Sequence, residues 1–194
     1  MQVESLSVDE QQILLRLARE SIERAAAGDP PCEVNLSALP PRLCAEAASF
    51  VTLTEPGGEL RGCIGGLEAR EPLAIDVCQH AAAAALEDYR FAPVRPTEVP
   101  RLRIEISVLT APRRLEYDNP AALPALLRPG VDGVILRDGF RRATYLPQVW
   151  EKLPDPREFL TSLCHKMGGP ADLWQRKVLY VQVYQVFEFA EAIS

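Results

Sequence analysis

The feature that most limits the fold is a pair of tight turns, each set between β-forming runs close enough to pair with one another. Asp138-Gly139 separates residues 133–136 from residues 141–146, and Asp-Gly supplies the positive φ that a two-residue hairpin loop needs. Pro56-Gly57-Gly58 turns the chain between residues 49–54 and residues 60–64. Strands joined in this way run antiparallel. "RIEISVL" (residues 103–109) sets Ile104, Ile106 and Val108 against Arg103, Glu105 and Ser107, the period-two pattern of a half-buried strand. A last run, residues 177–191, places Leu179, Val181, Val183, Phe187 and Phe189 on one side.

Helices interleave with these strands. Ser7-Val8-Asp9-Glu10 reads as a capping box ahead of an apolar stripe of Leu14, Leu17, Ala18, Ile22 and Ala25, and Gly28 with Pro30-Pro31 ends it. Pro72 opens a second helix, with Leu73, Val77, Ala81 and Ala84 inward. Asp155 caps a later one that buries Phe159, Leu160, Leu163, Cys164 and Met167 and stops at Gly168-Gly169. A short helix is expected near residues 120–127. Hairpins outnumber βαβ crossovers, which predicts an α+β fold with a mostly antiparallel sheet flanked by helices.

A chain of 194 residues fits one large domain or two closely packed lobes. Its net charge of −6 and pI near 5.1 argue against a broad phosphate-binding surface. The basic run "RDGFRR" (residues 137–142) is short and reads as a solvated hairpin tip. The longest apolar stretches, residues 77–86 and 178–187, are about half the roughly 20 residues a membrane span requires. The acidic start "MQVESLSVDE" lacks the basic and apolar regions of a signal peptide, so a cytoplasmic protein is expected. Five cysteines without a CxxC spacing suggest reduced thiols and no zinc knuckle.

"LRGCIGG" (residues 60–66) concentrates chemistry and bare backbone in one strand. Alternation puts Arg61 and Cys63 on one face. Cys63 reads either as a nucleophile or redox thiol, activated by Arg61 and by N–H groups that Gly62 and Gly65 leave bare, or as a small buried hydrophobe. Arg61 would bind a carboxylate or phosphate, or tie a loop carboxylate such as Asp88 or Glu105. The glycines suit a bulge or a close backbone approach. The pattern is neither a Walker loop nor GxGxxG, so no nucleotide site is supported and no cofactor is indicated. Only two histidines are available as bases. His80 follows Asp76 by four residues near the edge of a core face; it could orient toward Cys63, or be a satisfied, half-buried histidine. His165 points away from its helix's apolar stripe and reads as surface. Glu105 is the other base candidate, its plainer reading an ion-paired strand residue. Cys78-x-His80 does not place two ligands on one helix face, so no metal site is assigned. In "RRATYLPQVW" (residues 141–150), Thr144 and Gln148 are candidates for the second wall of a cleft and Trp150 for core packing.

Together, "LRGCIGG", "AALEDYRFAPV", "IEISVL", "GVDGVILRDGFRRATYLPQVWEKLPDPREFLTSLCHKMG" and the closing "VFEF" resemble the AMMECR domain family, named after the human chromosomal region of Alport syndrome, midface hypoplasia and elliptocytosis. The resemblance runs in order from about residue 10 to residue 190 and implies a single domain over residues 1–194. It implies a curled, barrel-like antiparallel sheet with helices around it, in two pseudo-repeated lobes. It brings no settled activity, but it points to Leu60–Gly65 as the functional site and implies Memo-like and radical-SAM proteins as partners. Two departures stand out. Gly66 replaces a hydroxyl residue common in the family, and Asp88-Tyr89-Arg90-Phe91 replaces Asp-Pro-Arg-Phe, keeping Asp88 and Arg90 as binding candidates. Two functions are expected on this basis: an enzyme or enzyme component with Cys63 as its reactive thiol, or a non-catalytic adaptor.

Overall fold

The computed structural model describes residues 6–192. The chain forms two compact units, one built from the residues up to Leu109 together with those from Phe187 onward, the other from Thr110–Val186.

In the first unit, helix α1 (Val8–Ala27) begins at Ser7, whose hydroxyl accepts from the Glu10 amide while the Glu10 carboxylate accepts from the Ser7 amide, and it ends at Gly28 with φ +77°. Strands β1 (Ala48–Thr54) and β2 (Leu60–Gly65) form the first hairpin, closed through Gly58 at φ +88°. Helix α2 (Leu73–Leu86) follows, then β3 (Arg103–Leu109). β1 lies between β2 and β3 and is antiparallel to both; β8 (Val186–Ala190) completes the sheet in the order β2-β1-β3-β8. The two helices cover one face. Val51, Leu53, Ile104 and Ile106 point into them and meet Leu14, Ala18, Ile22, Val77, Ala81 and Ala84 in a solvent-free core. The opposite face carries Phe50, Thr52, Arg61, Cys63 and Glu105, all half-buried.

The second unit starts with the two-residue strand β4 (Arg113–Arg114) and the short helix α3 (Leu123–Leu126). The hairpin β5 (Gly133–Asp138) and β6 (Arg141–Tyr145) turns through Gly139 at φ +60°. Helices α4 (Pro156–Lys166) and α5 (Leu173–Arg176) lead to β7 (Tyr180–Tyr184), giving the order β4-β7-β5-β6. The Asp155 carboxylate accepts from the Arg157 and Glu158 amides, so α4 is capped where the sequence predicts. The Trp150 and Phe159 rings stack 3.7 Å apart at 7°, and the Trp150 indole N–H donates to the Asp132 carbonyl at 2.7 Å. Trp150 is a core residue, as expected.

Two expectations are corrected. The implied barrel-like sheet is instead two open four-stranded antiparallel sheets, with β2 and β8 as the edges of one and β4 and β6 of the other. The single strand expected over residues 177–191 is two strands, β7 and β8, in different sheets. The break falls at Gln185, whose amide donates to the Thr110 hydroxyl and whose carbonyl accepts from the Thr110 amide, both at 2.9 Å.

Candidate functional site

The site is assembled around β2, an edge strand whose outward backbone groups need partners. Asp88 and Arg90, in the turn after α2, supply them. The Asp88 carboxylate accepts from the Cys63 amide at 2.8 Å and takes the Arg90 guanidinium on both oxygens, at 2.9 and 2.6 Å. Arg90 also reaches the Cys63 carbonyl at 3.5 Å. The backbone of Cys63 is therefore clamped from outside the sheet. Asp88 is buried, and its hydrogen-bonded ion pair with Arg90, helped by the Cys63 and Arg90 amides, holds its carboxyl well below the usual carboxylate range despite that burial.

The glycines of the motif admit close neighbours. A Cβ on Gly62 would lie 2.2 Å from the Ala84 carbonyl oxygen, so α2 can pack on β2 only over a bare backbone. A Cβ on Gly65 would lie 2.3 Å from the Phe50 ring, which therefore lies across this residue on the face that also carries Cys63. Arg61 is tied to a loop carboxylate, but its partner is Glu98, reached at 3.3 Å by both Nε and Nη2. Glu98 also accepts from the backbone amide and guanidinium of Arg95, and these bonds, the amide first, lower its carboxyl affinity for protons. The Arg61 guanidinium is thus engaged away from the thiol, and the cation beside the Cys63 backbone is Arg90.

What the motif leaves uncommitted is the thiol itself. Thr52 stands directly opposite Cys63, and its hydroxyl donates to Sγ at 3.4 Å. Glu105 stands opposite Thr52 on the next strand, so Cys63, Thr52 and Glu105 form one row across β2, β1 and β3. Thr52 is the residue sequence reasoning missed. Its place follows from the hairpin register, which a bulge between Leu53 and Thr54 shifts by one.

His80 belongs to the other face. Its Nδ1 lies 3.1 Å from Asp76 Oδ2, the same oxygen that accepts the Ser49 hydroxyl at 2.6 Å, and its ring is beside Gly66, where a Cβ would stand 3.5 Å from Cε1. Gly66, like Gly62, is on the helix-covered side of β2, whereas Cys63 points the opposite way. Position 66, a glycine in this chain, thus faces His80. His80 is held by Asp76 and does not approach Cys63. Ser49, fully buried in a row with Val51 and Leu53, is a second residue missed; a lone hydroxyl on an apolar strand face was its signal.

Thr144 and Gln148 belong to the second unit. The Thr144 hydroxyl donates to the Val134 carbonyl at 2.9 Å and lies 3.1 Å from the Tyr184 hydroxyl; Gln148 is an exposed residue of the turn Pro147–Glu151. Among the described residues, no group of three or more His, Cys, Asp or Glu side chains is arranged to hold a metal ion, and no helix is long and apolar enough to cross a membrane.

This arrangement sits in a chain with close relatives. A protein of Methanothermobacter thermautotrophicus is 39% identical over 98% of this chain and 99% of its own length. Protein MK0488 of Methanopyrus kandleri is also 39% identical, over 97% and 92%. The crystal structure of the uncharacterized protein PH0010 from Pyrococcus horikoshii superposes with a TM-score of 0.80 at 33% identity, covering 96% of this chain and 93% of that one. The AMMECR1 family model matches residues 15–189, a span that takes in both sheets and the whole of the Leu60–Gly65 strand, and the chain is a member of the AMMECR1 family.

Proposed function

We propose that this protein is an enzyme, or a component of one, in which Cys63 is the reactive thiol. The observation that carries the reading is the row Cys63–Thr52–Glu105, which sets a thiol, a hydroxyl donating to its sulfur and a carboxylate side by side on a half-buried face. Gly62 and Gly65 are taken up by packing, and Arg61, Asp88 and Arg90 by ion pairs that fix the backbone, so binding by these residues would act through the shape of the strand they hold. Thr52 orients the sulfur, and Glu105, two strands across from Cys63, is in this reading the candidate base for a proton carried by the bound substrate, while His80 is held by Asp76 on the other face. Thr144 and Gln148 remain candidates for substrate contact. The protein is read as cytoplasmic, acting on a small molecule with Memo-like and radical-SAM partners, and as one domain of two pseudo-repeated lobes. Support for the repeat comes from strand order: each hairpin's first strand lies between its hairpin partner and the strand that follows the next helices.

Site-resolved alkylation with iodoacetamide at neutral pH tests this reading. Cys78 and Cys164 are buried, burial pushes both of these thiols and Cys32 up, and Cys44 donates its S–H to the Leu36 carbonyl at 3.3 Å. Cys63 is therefore expected to react fastest, and Thr52→Val to slow it by about threefold, the equivalent of one weak hydrogen bond. If Cys63 stays inert until the chain unfolds, the thiol reading is lost.

One observation favours the adaptor alternative. Tyr89, between the two clamp residues, is 95% exposed, and an exposed aromatic beside a rigid ion pair suits a partner's surface. Binding of a Memo-like partner that survives Cys63→Ser but falls with Tyr89→Ala would establish that role.

A further inference from the structure

Two of the five cysteines meet, and the function proposed above uses neither. Pro30 and Pro31 turn the chain away at the end of α1, and the next residue, Cys32, lies where the Pro-rich segment crosses the gap between α1 and α2. Cys78, on α2 and 7% exposed, and Ser21, on α1 and 4% exposed, line the same gap. These three side chains form one cluster: each thiol is a hydrogen-bond neighbour of the other, and the Ser21 hydroxyl is a neighbour of both.

Two thiols in contact can share a bond. Burial raises both, Cys78 to about 11, and the Glu20 carboxylate adds to the rise at Cys32, so neither is a fast nucleophile toward a dilute reagent. The Ser21 hydroxyl works the other way, donating to either sulfur as it ionises. Exchange within a pair does not need a fast thiol, because a neighbouring sulfur attacks at an effective concentration far above that of any thiol in solution. Cys32 is half-buried and open to a reagent, whereas Cys78 is reached through it.

We propose that Cys32 and Cys78 are a redox-modifiable dithiol that a low-molecular-weight disulfide converts to an intramolecular disulfide, fastening the Pro-rich segment to α2. Cys32 gives up its proton and attacks one sulfur of the small disulfide, whose other half leaves as a thiol carrying that proton. Cys78 then gives up its proton and attacks Cys32 Sγ; the mixed disulfide breaks and its small half leaves as a second thiol. The two protein thiols lose two electrons and two protons, and the small disulfide gains them. Such a pair stays open in a reducing compartment and closes when small disulfides accumulate. Cys63, which faces away from α2, takes no part.

The test treats the whole folded chain with oxidised glutathione, quenches with acid, and maps cysteines by mass spectrometry without reduction. We expect a linked pair of peptides containing Cys32 and Cys78, an apparent Tm raised by several degrees, and reversal of both by dithiothreitol. In Cys78→Ser the reaction should stop at a glutathione adduct on Cys32, and in Cys32→Ser position 78 should stay a free thiol. Ser21→Ala should slow formation of the link about threefold, the equivalent of one weak hydrogen bond. Should a variant fail to fold, the linked peptides and the Tm of the unaltered chain decide. The proposal is overturned by the absence of a Cys32–Cys78 link, by a link that appears only once the chain is unfolded, or by an oxidised chain whose Tm is unchanged.

Discussion

The two units share a plan and use it differently. In each, a hairpin's first strand is an inner strand of a four-stranded sheet, flanked by its hairpin partner and by the strand that follows the next helices. In the first unit that inner strand, β1, alternates: Val51 and Leu53 are fully buried, while Phe50, Thr52 and Thr54 on the other face are half-open. In the second, β5 is buried at four successive positions, from Gly133 to Leu136. A strand covered on both faces can only be core, whereas one covered on a single face has positions to spare for chemistry. The thiol, the hydroxyl and the carboxylate are on the half-open face of the first unit. The aromatic weight, Trp150 stacked on Phe159 with Tyr145 at its edge, is in the second.

The most direct way to break this contrast is to damage the second unit and watch the first. Trp150→Ala removes a stacked, fully packed indole and its hydrogen bond to Asp132, and should cost about 3–5 kcal/mol by chemical denaturation. Under conditions where the variant is still folded, Cys63 alkylation should keep its native rate. A changed rate would show that the thiol depends on the aromatic core, and the division of labour would fail.

A smaller effect comes from glycines that occupy comparable hairpins. A Cβ at Gly62 meets the backbone carbonyl of Ala84 at 2.2 Å, and one at Gly133 meets the Tyr184 ring at 2.4 Å. Backbone in a helix cannot step aside without moving the helix, but a ring can turn. Gly62→Ala should therefore cost about 3 kcal/mol and Gly133→Ala about 2 kcal/mol. Equal losses, or the reverse order, would mean that α2 is free to slide on β2.

How much of this was legible follows from where each signal resides in the chain. Caps and turns are local, so Ser7, Gly28, Asp138-Gly139 and Asp155 announce the elements they bound. The division between β7 and β8 is not local. Period-two alternation continues straight through Gln185, and the break is made by Thr110, 75 residues away. The site divides the same way. Arg61 and Cys63 share a face by alternation alone, but that Arg61 would meet Glu98 depends on how the segment after Pro96 returns, 37 residues on. His80 shows both sides: Asp76 as its partner was visible at helical spacing, while its place on the face opposite Cys63 required the position of α2 over β2.

The clamp on Cys63 offers the finest discrimination between the units, because it has a pH signature. Arg90 holds Asp88 ionised far below the ordinary carboxylate range, so folding is favoured by this group wherever the unfolded chain's aspartate, with its usual value of about 3.9, is already charged. The contribution is complete above about pH 5 and is lost as the pH falls through 3.9 toward the depressed native value, where the folded state must at last take up the proton. Asp88→Asn keeps the shape but not the charge. It should cost about 2 kcal/mol at neutral pH, the worth of a hydrogen bond to a charged group at a buried acceptor, and should flatten the acid limb of stability against pH. With the Cys63 amide less firmly held, the edge strand should open more often and Cys63 should be alkylated faster, while Cys164 in the second unit should not change. An acid limb of unaltered steepness in Asp88→Asn would show that other carboxylates set it, and that the ion pair holds the strand without storing stability.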